Sequence, residues 1–434
     1  MDPLKRAQQL DKDFISKLLG QSITSFSLSE GSKKGDNVIG KMLSVQVSTE
    51  KEEKNLHLVI KSLLPLIGEC DAASIGQARF VTALQVFPTE LEYYKKIRPL
   101  LQQISGFRLD KPKFFNGVSD GMNDYIALED LRPQGYKMAD KKKGLSLPQV
   151  LSTLKEIAHL HAYSYFLIES QNEEIIEAMS TSFSPLNNHV WARSIFGTNQ
   201  SIFFNGIIGR MIELLREKGE VENARKIGRF AKEGHKILLD LWGKTRENGN
   251  KYFRTLIHGD LWTNNIFFKG SDDGETVEDV KFIDFQQTRF GNVFEELHYF
   301  FFTSTSAEFR KKWLKTCLES YFQEFERVLR NLGTELPQGF TEEELVGTFY
   351  ENIEYGFAYA LVAIPFQLGE PLNDSPTPGN QPTGECEGGK EEQQAEVEKM
   401  LLEAAETLKL GAQNSPVAIQ RLKELADEMV KLNV

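Results

Sequence analysis

The sequence predicts an α+β protein with a small, β-rich N-terminal lobe and a larger, mainly helical C-terminal lobe. Residues 1–132 contain short runs of alternating or β-branched apolar residues separated by polar turns, which is the pattern of strands. From residue 133 onward, most segments repeat apolar residues every three or four positions over helical lengths. The polar segment Pro133–Gly144 separates the two patterns, so we place the boundary between the lobes there.

The N-terminal lobe is predicted to begin with an amphipathic helix, Pro3–Leu19, which ends before Gly20. A polar loop that carries several glycines follows, and an alternating apolar pattern after it predicts the next strand. The remaining predicted elements of this lobe are the strands Met42–Val47 and Leu56–Lys61, the helix Phe87–Ile97, and the strands Lys113–Val118 and Tyr125–Leu131.

The C-terminal lobe, residues 133–368, is predicted to consist of helices around one short β-hairpin. Its predicted helices are Ser146–Ile168, Ser201–Leu215, Val221–Trp242, Phe290–Phe302, Ala307–Leu332 and Thr341–Leu361. The segment 369–390 is rich in Pro, Gly and Glu and is predicted to be a disordered linker. Residues 391–434 are predicted to form two closing helices, Glu391–Lys409 and Ser415–Leu432, of which the first should dock on the large lobe through an apolar stripe.

Composition limits the classes of protein to consider. With 434 residues, 40% of them hydrophobic and 26% charged, the chain is typical of a globular protein with two or three domains or lobes. A net charge of −11 argues against nucleic acid or an anionic membrane surface as the main partner. Three cysteines without metal-ligand spacing favour a reducing compartment, and the charged N-terminus does not match a signal peptide. We therefore expect a cytoplasmic protein with no membrane segment.

One polar stretch, LIHGDLWTNNIFFK at Leu256–Lys269, contains the strongest functional pattern. His258, Asp260 and Asn265 follow the spacing H-x-D-x-x-x-x-N, which is that of the protein-kinase catalytic loop. A second acid, Asp284, stands where those enzymes carry the Asp of D-F-G. This pattern predicts phosphoryl transfer.

The flanking sequence indicates that these groups lie close together. Apolar runs on both sides of the loop predict short strands, and an Asp-Gly turn at 273–274 predicts a hairpin that returns the chain to Asp284. In phosphoryl transfer, Asp260 would accept the proton of the attacking hydroxyl, and Asn265 with Asp284 would hold Mg²⁺. The alternative is that His258 is a packed loop residue and that the two acids only cap or turn the chain.

The motif HGDLW followed by Asn265, together with IDFQ at Ile283–Gln286, resembles the ecdysteroid kinase-like family of small-molecule kinases. That family belongs to the wider choline-kinase and aminoglycoside-phosphotransferase group, which shares the protein-kinase fold. The resemblance spans roughly Ser27–Gln367. It implies a protein-kinase-like two-lobe fold, ATP as phosphate donor and Mg²⁺ as cofactor.

The resemblance also implies which residues bind ATP. Gly35, Asp36 and Asn37 match a family turn that lies over the phosphates, although this loop lacks the G-x-G-x-x-G pattern. The predicted strand Tyr125–Leu131 would run into the hinge, where the backbone at Glu129 and Leu131 would contact adenine.

The resemblance implies two further sets of contacts, one between a lysine and a glutamate and one that supports the catalytic loop. Lys61 stands where the fold places the lysine that contacts the α- and β-phosphates, and its partner should be a glutamate on the next long helix. We choose Glu90, which matches the family pattern F-x-x-E, and keep Glu92 as the alternative. His258 and Glu296 are implied to support the loop, with Glu296 bracing backbone N–H groups where the family usually has Asp.

Missing features favour a small-molecule acceptor over a protein. Gly259 replaces the Arg of H-R-D, and no A-P-E follows Asp284. The family suggests a steroid-like or xenobiotic alcohol, ecdysteroids above all, and aromatic density at 300–302 and 355–366 suggests an apolar pocket in the large lobe. The alternatives are a choline- or aminoglycoside-type substrate, or a catalytically silent binding protein of the same fold. No obligate protein partner is evident.

Overall fold

A computed structural model describes residues 10–31, 41–50, 55–66, 84–107, 112–121, 123–180, 200–247, 251–370 and 390–432, together with residues 78, 81 and 82. The turn with Gly35, Asp36 and Asn37 lies outside these residues, and so does most of the predicted linker at 369–390. The first half of the predicted helix Pro3–Leu19 lies outside them as well.

A five-stranded antiparallel sheet forms the small lobe, in the order β1-β2-β3-β5-β4. Its strands are β1 (Ile23–Glu30), β2 (Lys41–Thr49), β3 (Leu56–Ser62), β4 (Phe114–Val118) and β5 (Tyr125–Glu129). Alternation along β2 and β3 buries Val45, Val47, Leu58 and Ile60 on one face. Helix α1 (Lys12–Leu19) packs on that face, because Ile15 and Leu18 belong to the same apolar cluster.

The long helical segment of the small lobe has a bulge that the sequence did not predict. Helix α2 (Val86–Glu92) continues into a π-helical turn, Tyr93–Ile97, and then into α3 (Arg98–Gln102). A single helix at Phe87–Ile97 was predicted. The π turn widens the helix by one residue and lets Tyr93 and Tyr94 both be buried in the main core.

The large lobe is mainly helical. Its first helix begins with a capping box in which Ser146 and Gln149 satisfy each other's backbone N–H groups. The helices are α4 (Leu147–Glu169), α5 (Glu173–Ser180), α6 (Gln200–Glu217), α7 (Val221–Lys226), α8 (Phe230–Glu247), α9 (Val293–Ser304), α10 (Ala307–Asn331), α11 (Glu342–Glu351), α12 (Ile353–Leu368), α13 (Lys390–Gln413) and α14 (Pro416–Lys431).

Three predicted helices of this lobe differ from the structure. The predicted Val221–Trp242 is divided between α7 and α8 at a turn that contains Gly228. The predicted Thr341–Leu361 is divided at Asn352, whose side-chain amide donates to the carbonyl of Thr348 over 2.8 Å and so satisfies an acceptor at the end of α11. The predicted Phe290–Phe302 begins at Val293, because the residues before it form a strand.

Short strands place the polar loop of the large lobe. They are β6 (Lys137–Met138), β7 (Thr255–Ile257), β8 (Ile266–Gly270), β9 (Val277–Phe282) and β10 (Arg289–Gly291). Strands β8 and β9 form the predicted hairpin, and β6 pairs with β8. Strand β10 pairs with β7, so both ends of the segment 255–291 are fixed by backbone hydrogen bonds.

The C-terminal hairpin, helices α13 and α14, packs on α6, α7 and α12 of the large lobe. Buried Leu401, Ala405, Leu422 and Leu425 join the main core. Arg310, with a side chain only 3% exposed, pairs with Glu428 of this hairpin over 2.5 Å. None of the helices in the described ranges combines the length and the apolar character that a membrane span requires.

Candidate active site

Lys61 connects the two lobes at the end of strand β3. Its Nζ lies 2.9 Å from Glu90 Oε2, 2.6 Å from Asp284 Oδ1 and 2.9 Å from Gln286 Oε1. All three protons of the ammonium are therefore directed at acceptors. The alternative partner, Glu92, instead pairs with Lys96 over 2.9 Å. The structure thus brings Lys61 together with Glu90 and not with Glu92.

This cluster keeps a positive charge in the interior. The Lys61 side chain is 9% exposed and that of Glu90 is 2% exposed. Burial by itself would lower the pKa of Lys61, but the negative charges of Asp284 and Glu90 outweigh burial and raise that pKa. Lys61 is therefore an ammonium at neutral pH, placed where it could contact an anionic ligand.

Glu296 holds the start of the polar loop. Its Oε2 accepts the backbone N–H of His258 over 2.5 Å, and its Oε1 accepts that of Gly259 over 3.1 Å. Burial would raise the pKa of Glu296, but the His161 imidazole, 3.7 Å away, and the backbone N–H of His258 hold that pKa below its usual value. A buried, ionised carboxylate therefore fixes two consecutive backbone groups, one methylene farther from its helix than an Asp would be.

Gly259 occupies a position that no other residue fits. Its φ is +80°, and a Cβ placed there would lie 2.2 Å from the backbone oxygen of Gln287. The chain after β9 thus packs directly on the loop. This close approach explains why the loop carries a glycine where protein kinases carry an arginine.

His258 supports the loop as a neutral ring. Burial lowers the pKa of His258, so the imidazole is uncharged at neutral pH. Its Nε2 lies 2.9 Å from the carbonyl oxygen of Ile283 and must carry the proton, while Nδ1 accepts the backbone N–H of Asp260 over 3.3 Å. One side chain thereby connects the loop to the residue that precedes Asp284.

Asp260 is buried beside hydrogen-bond donors. Tyr299 donates to its Oδ1 over 2.6 Å. Burial raises the pKa of Asp260 to about 7, reinforced by the charge of Asp284 and opposed by hydrogen bonds from Tyr299, Gln286 and Gln287. A carboxylate with a pKa near neutrality is suited to accept a proton during a reaction.

Asn265 and Asp284 present oxygen atoms that could hold a divalent cation. Asn265 Nδ2 donates to the backbone oxygen of Asp260 over 2.8 Å, which leaves its amide oxygen without a partner among the described residues. Asp284 has a φ of 66° and a side chain that is 20% exposed, and only its Oδ1 is bound to Lys61. An amide oxygen and a carboxylate suit Mg²⁺, which usually keeps waters and phosphate oxygens as its other ligands.

The residues expected at the hinge are partly engaged within the protein. The Glu129 carboxylate accepts the backbone N–H of Lys113 over 3.2 Å and the side-chain amide of Gln134 over 2.6 Å. The Leu131 carbonyl accepts the backbone N–H of Gln134. Among the described residues, the N–H of Leu131 makes no hydrogen bond.

Sequence reasoning missed several polar residues of this site. Gln286 joins Lys61 to Asp260, because its Oε1 accepts from the ammonium and its side chain also bonds Asp260. Gln367, at the end of α12, donates to the Tyr299 hydroxyl over 3.0 Å. Tyr299 follows Glu296 by three residues, and this helical spacing was the available signal that both face the loop. No local pattern marked Gln367.

The aromatic residues expected to line an acceptor pocket are mostly core. The side chains at 300–302 are at most 3% exposed, and α12 is buried on nearly all sides. Phe302 packs edge-on against Phe357 at 4.8 Å, and Phe301 against Phe349 at 5.9 Å. These rings stabilise the large lobe, so they give no support to an apolar acceptor.

Fold and site together define a class. The structure joins a small antiparallel sheet to a mainly helical lobe. Five polar residues meet between the two, namely Lys61, Glu90, Asp260, Asn265 and Asp284. This is the arrangement of the small-molecule kinases. The chain belongs to the ecdysteroid kinase-like family, whose family model matches residues 34–334. Both the predicted family and the predicted protein-kinase-like α+β fold are confirmed.

Comparison with other proteins adds little beyond the family. The chain is similar to the solved structure of an ethanolamine kinase from Plasmodium vivax, with 13% sequence identity and a TM-score of 0.37. The similarity covers 88% of this chain and 82% of that one. No curated protein matches the sequence.

Proposed function

We propose that this protein is an ATP- and Mg²⁺-dependent kinase that phosphorylates a hydroxyl group of a small organic molecule. The observation that supports this most strongly is the joint placement of Lys61 and Asp284, 2.6 Å apart, with Asp260 buried beside them. A silent binding protein of the same fold would be free to lose one of these groups, and the sequence keeps all of them.

In the proposed reaction, Asp260 accepts the proton of the acceptor hydroxyl as its oxygen attacks the γ-phosphorus of ATP, and ADP leaves. The raised pKa of Asp260, about 7, suits this transfer. Lys61 would bind the α- and β-phosphates, and Glu90 would keep the ammonium in place.

Asn265 and Asp284 would hold Mg²⁺, which supplies positive charge to the phosphate oxygens as negative charge develops on them. Binding of the nucleotide would require Lys61 to exchange part of its contact with Asp284 for phosphate. The turn at Gly35, Asp36 and Asn37 and the backbone at Glu129 and Leu131 are the proposed contacts for the phosphates and for adenine.

For the acceptor, we propose an uncharged alcohol, steroid-like or xenobiotic, on the strength of the family. The side chains that hydrogen-bond Asp260 are Tyr299, Gln286 and Gln287, which carry no charge, and the nearby Asp284 carboxylate is already engaged by Lys61. A choline-type cation or an aminoglycoside would favour additional carboxylates around the reacting hydroxyl. We further propose that the protein works in the cytoplasm without nucleic acid, membrane or an obligate protein partner.

The test is a phosphate-transfer screen with purified protein, Mg²⁺ and γ-labelled ATP. Panels of polyhydroxylated sterols, apolar alcohols, amino alcohols and aminoglycosides are offered separately, with Asp260→Asn protein as the control in each. Label in a sterol or apolar alcohol, absent with the control, is the expected result. Label in choline or an aminoglycoside alone would contradict the proposed acceptor, and Mg²⁺-ATP binding without any transfer would favour the silent binding protein.

A further inference from the structure

The hydrogen bond that reaches Asp260 comes from the helix that also carries Glu296. Tyr299 lies one turn farther along α9, so one helix both fixes the loop backbone and contacts the Asp260 carboxylate. Tyr299 is 7% exposed, and burial raises its pKa well above the usual value. Its hydroxyl therefore keeps its proton and donates to Oδ1 of Asp260 over 2.6 Å.

A second residue fixes the direction of that hydroxyl. Gln367, 5% exposed at the end of α12, donates its Nε2–H to the Tyr299 oxygen over 3.0 Å. A phenol has one proton to give and lone pairs to accept with, so the incoming amide N–H leaves the phenol proton only Asp260 as a partner. Tyr359 packs edge-on against the Tyr299 ring at 4.8 Å and limits its rotation.

We propose that Tyr299 and Gln367 are positioning residues that act beside Gln286 and Gln287 to fix the rotation of the Asp260 carboxylate, holding Oδ1 so that the carboxylate is oriented toward the acceptor hydroxyl. This inference rests on the proposed function. A carboxylate can rotate about its Cβ–Cγ bond, and proton transfer requires one oxygen at a defined place. Gln367 lies outside residues 34–334, the part of the chain that matches the family model.

Tyr299→Phe removes only the hydroxyl and keeps the ring in its packing. The expected result is a fall in kcat of about 10- to 100-fold, because a displacement of a reacting group by about 1 Å can slow the reaction by this factor. Affinity for Mg²⁺-ATP should stay within about twofold, since the nucleotide contacts are untouched. Tyr252→Phe is the matched control, because the Tyr252 hydroxyl only accepts from Asn352 Nδ2 over 3.1 Å, outside the loop.

Two changes at Gln367 separate positioning from simple packing. Gln367→Met keeps the size of the side chain and should lower kcat by about threefold, since the phenol can still reach Asp260. Gln367→Glu introduces an acceptor that competes with Asp260 for the phenol proton, so it should lower kcat as far as Tyr299→Phe does. If Gln367 only fills space, the fall in kcat of Gln367→Met should equal or exceed that of Gln367→Glu.

The assay uses steady-state turnover of the acceptor found in the screen, or Mg²⁺-ATP hydrolysis if no acceptor is phosphorylated, with calorimetry for nucleotide binding. Tyr299→Phe should have no further effect in an Asp260→Asn background. Near wild-type kcat in Tyr299→Phe, while Asp260→Asn is inactive, would overturn the positioning role and leave the proposed function intact. Turnover in Asp260→Asn itself would overturn both. If Tyr299→Phe does not fold, the order of the two Gln367 variants decides.

Discussion

Replacing Glu296 by glutamine should lower kcat strongly while the protein still folds. The carboxylate accepts two backbone N–H groups, from His258 and Gly259, at 2.5 and 3.1 Å. The amide of Glu296→Gln keeps one acceptor oxygen and turns its NH₂ toward the other N–H. One hydrogen bond to a charged group is lost, at about 1.5–3 kcal/mol, and one buried N–H is left unpaired, at about 1–3 kcal/mol.

From these terms we expect the free energy of unfolding to fall by about 2.5–6 kcal/mol and kcat to fall by about 100-fold, because the loop that carries Asp260 shifts. The matched control is Glu324→Gln. Glu324 is 7% exposed and paired with His159 and Arg327, away from the loop. Urea unfolding and turnover are measured for both variants under conditions in which each is folded.

The control should lose stability and keep its kcat. Equal kcat in the two variants, or a near wild-type kcat in Glu296→Gln, would refute the bracing role.

The pH dependence gives a second check. Because the pKa of folded Glu296 is lowered, its contribution to stability is present above its usual pKa and is lost as the pH falls through the lowered value. The stability difference between wild type and Glu296→Gln should therefore shrink below about pH 4.

Three other predictions follow from single contacts. Lys61→Met and Glu90→Gln should each weaken Mg²⁺-ATP binding in calorimetry, and their double variant should lose less than the sum, because the two groups form one ion pair; strict additivity would contradict the pairing. Gly259→Ala should lower the melting temperature and abolish turnover, because its Cβ would meet the Gln287 carbonyl; wild-type melting would refute that close approach. Arg310→Met should lower the free energy of unfolding by about 3 kcal/mol, because it removes a buried guanidinium and leaves the partly buried Glu428 carboxylate of the C-terminal hairpin without its partner; an unchanged urea midpoint would contradict this.

Local spacing was enough to predict the loop and its hairpin. The interval from Asp260 to Asn265 is fixed by one short turn, and the Asp-Gly turn returns the chain to Asp284 whatever the rest of the fold does. The choice between Glu90 and Glu92 required the three-dimensional structure. Both lie on one helical segment, and only its orientation against β3 directs Glu90 to Lys61.

Other features could not be predicted because they depend on contacts distant in sequence. The meeting of Gln367 with Tyr299 follows from the packing of α12 on α9, which no local pattern encodes. Asn352 interrupts a continuous apolar pattern because its side chain competes for a backbone carbonyl. The aromatic run of α12 already indicated a core helix, since a helix that is apolar on all sides is more often buried in the core than part of a pocket wall.

The central claim is that Asp260 is the base of a phosphoryl transfer, and Asp260→Asn tests it most directly. The change keeps the size of the side chain and the hydrogen bond from Tyr299 but removes the site that accepts the proton. We expect Mg²⁺-ATP to bind with near wild-type affinity in calorimetry, while single-turnover phosphate transfer falls by about 100-fold or more. Transfer within a few-fold of wild type, with nucleotide binding intact, would contradict the role of Asp260 and with it the proposed mechanism.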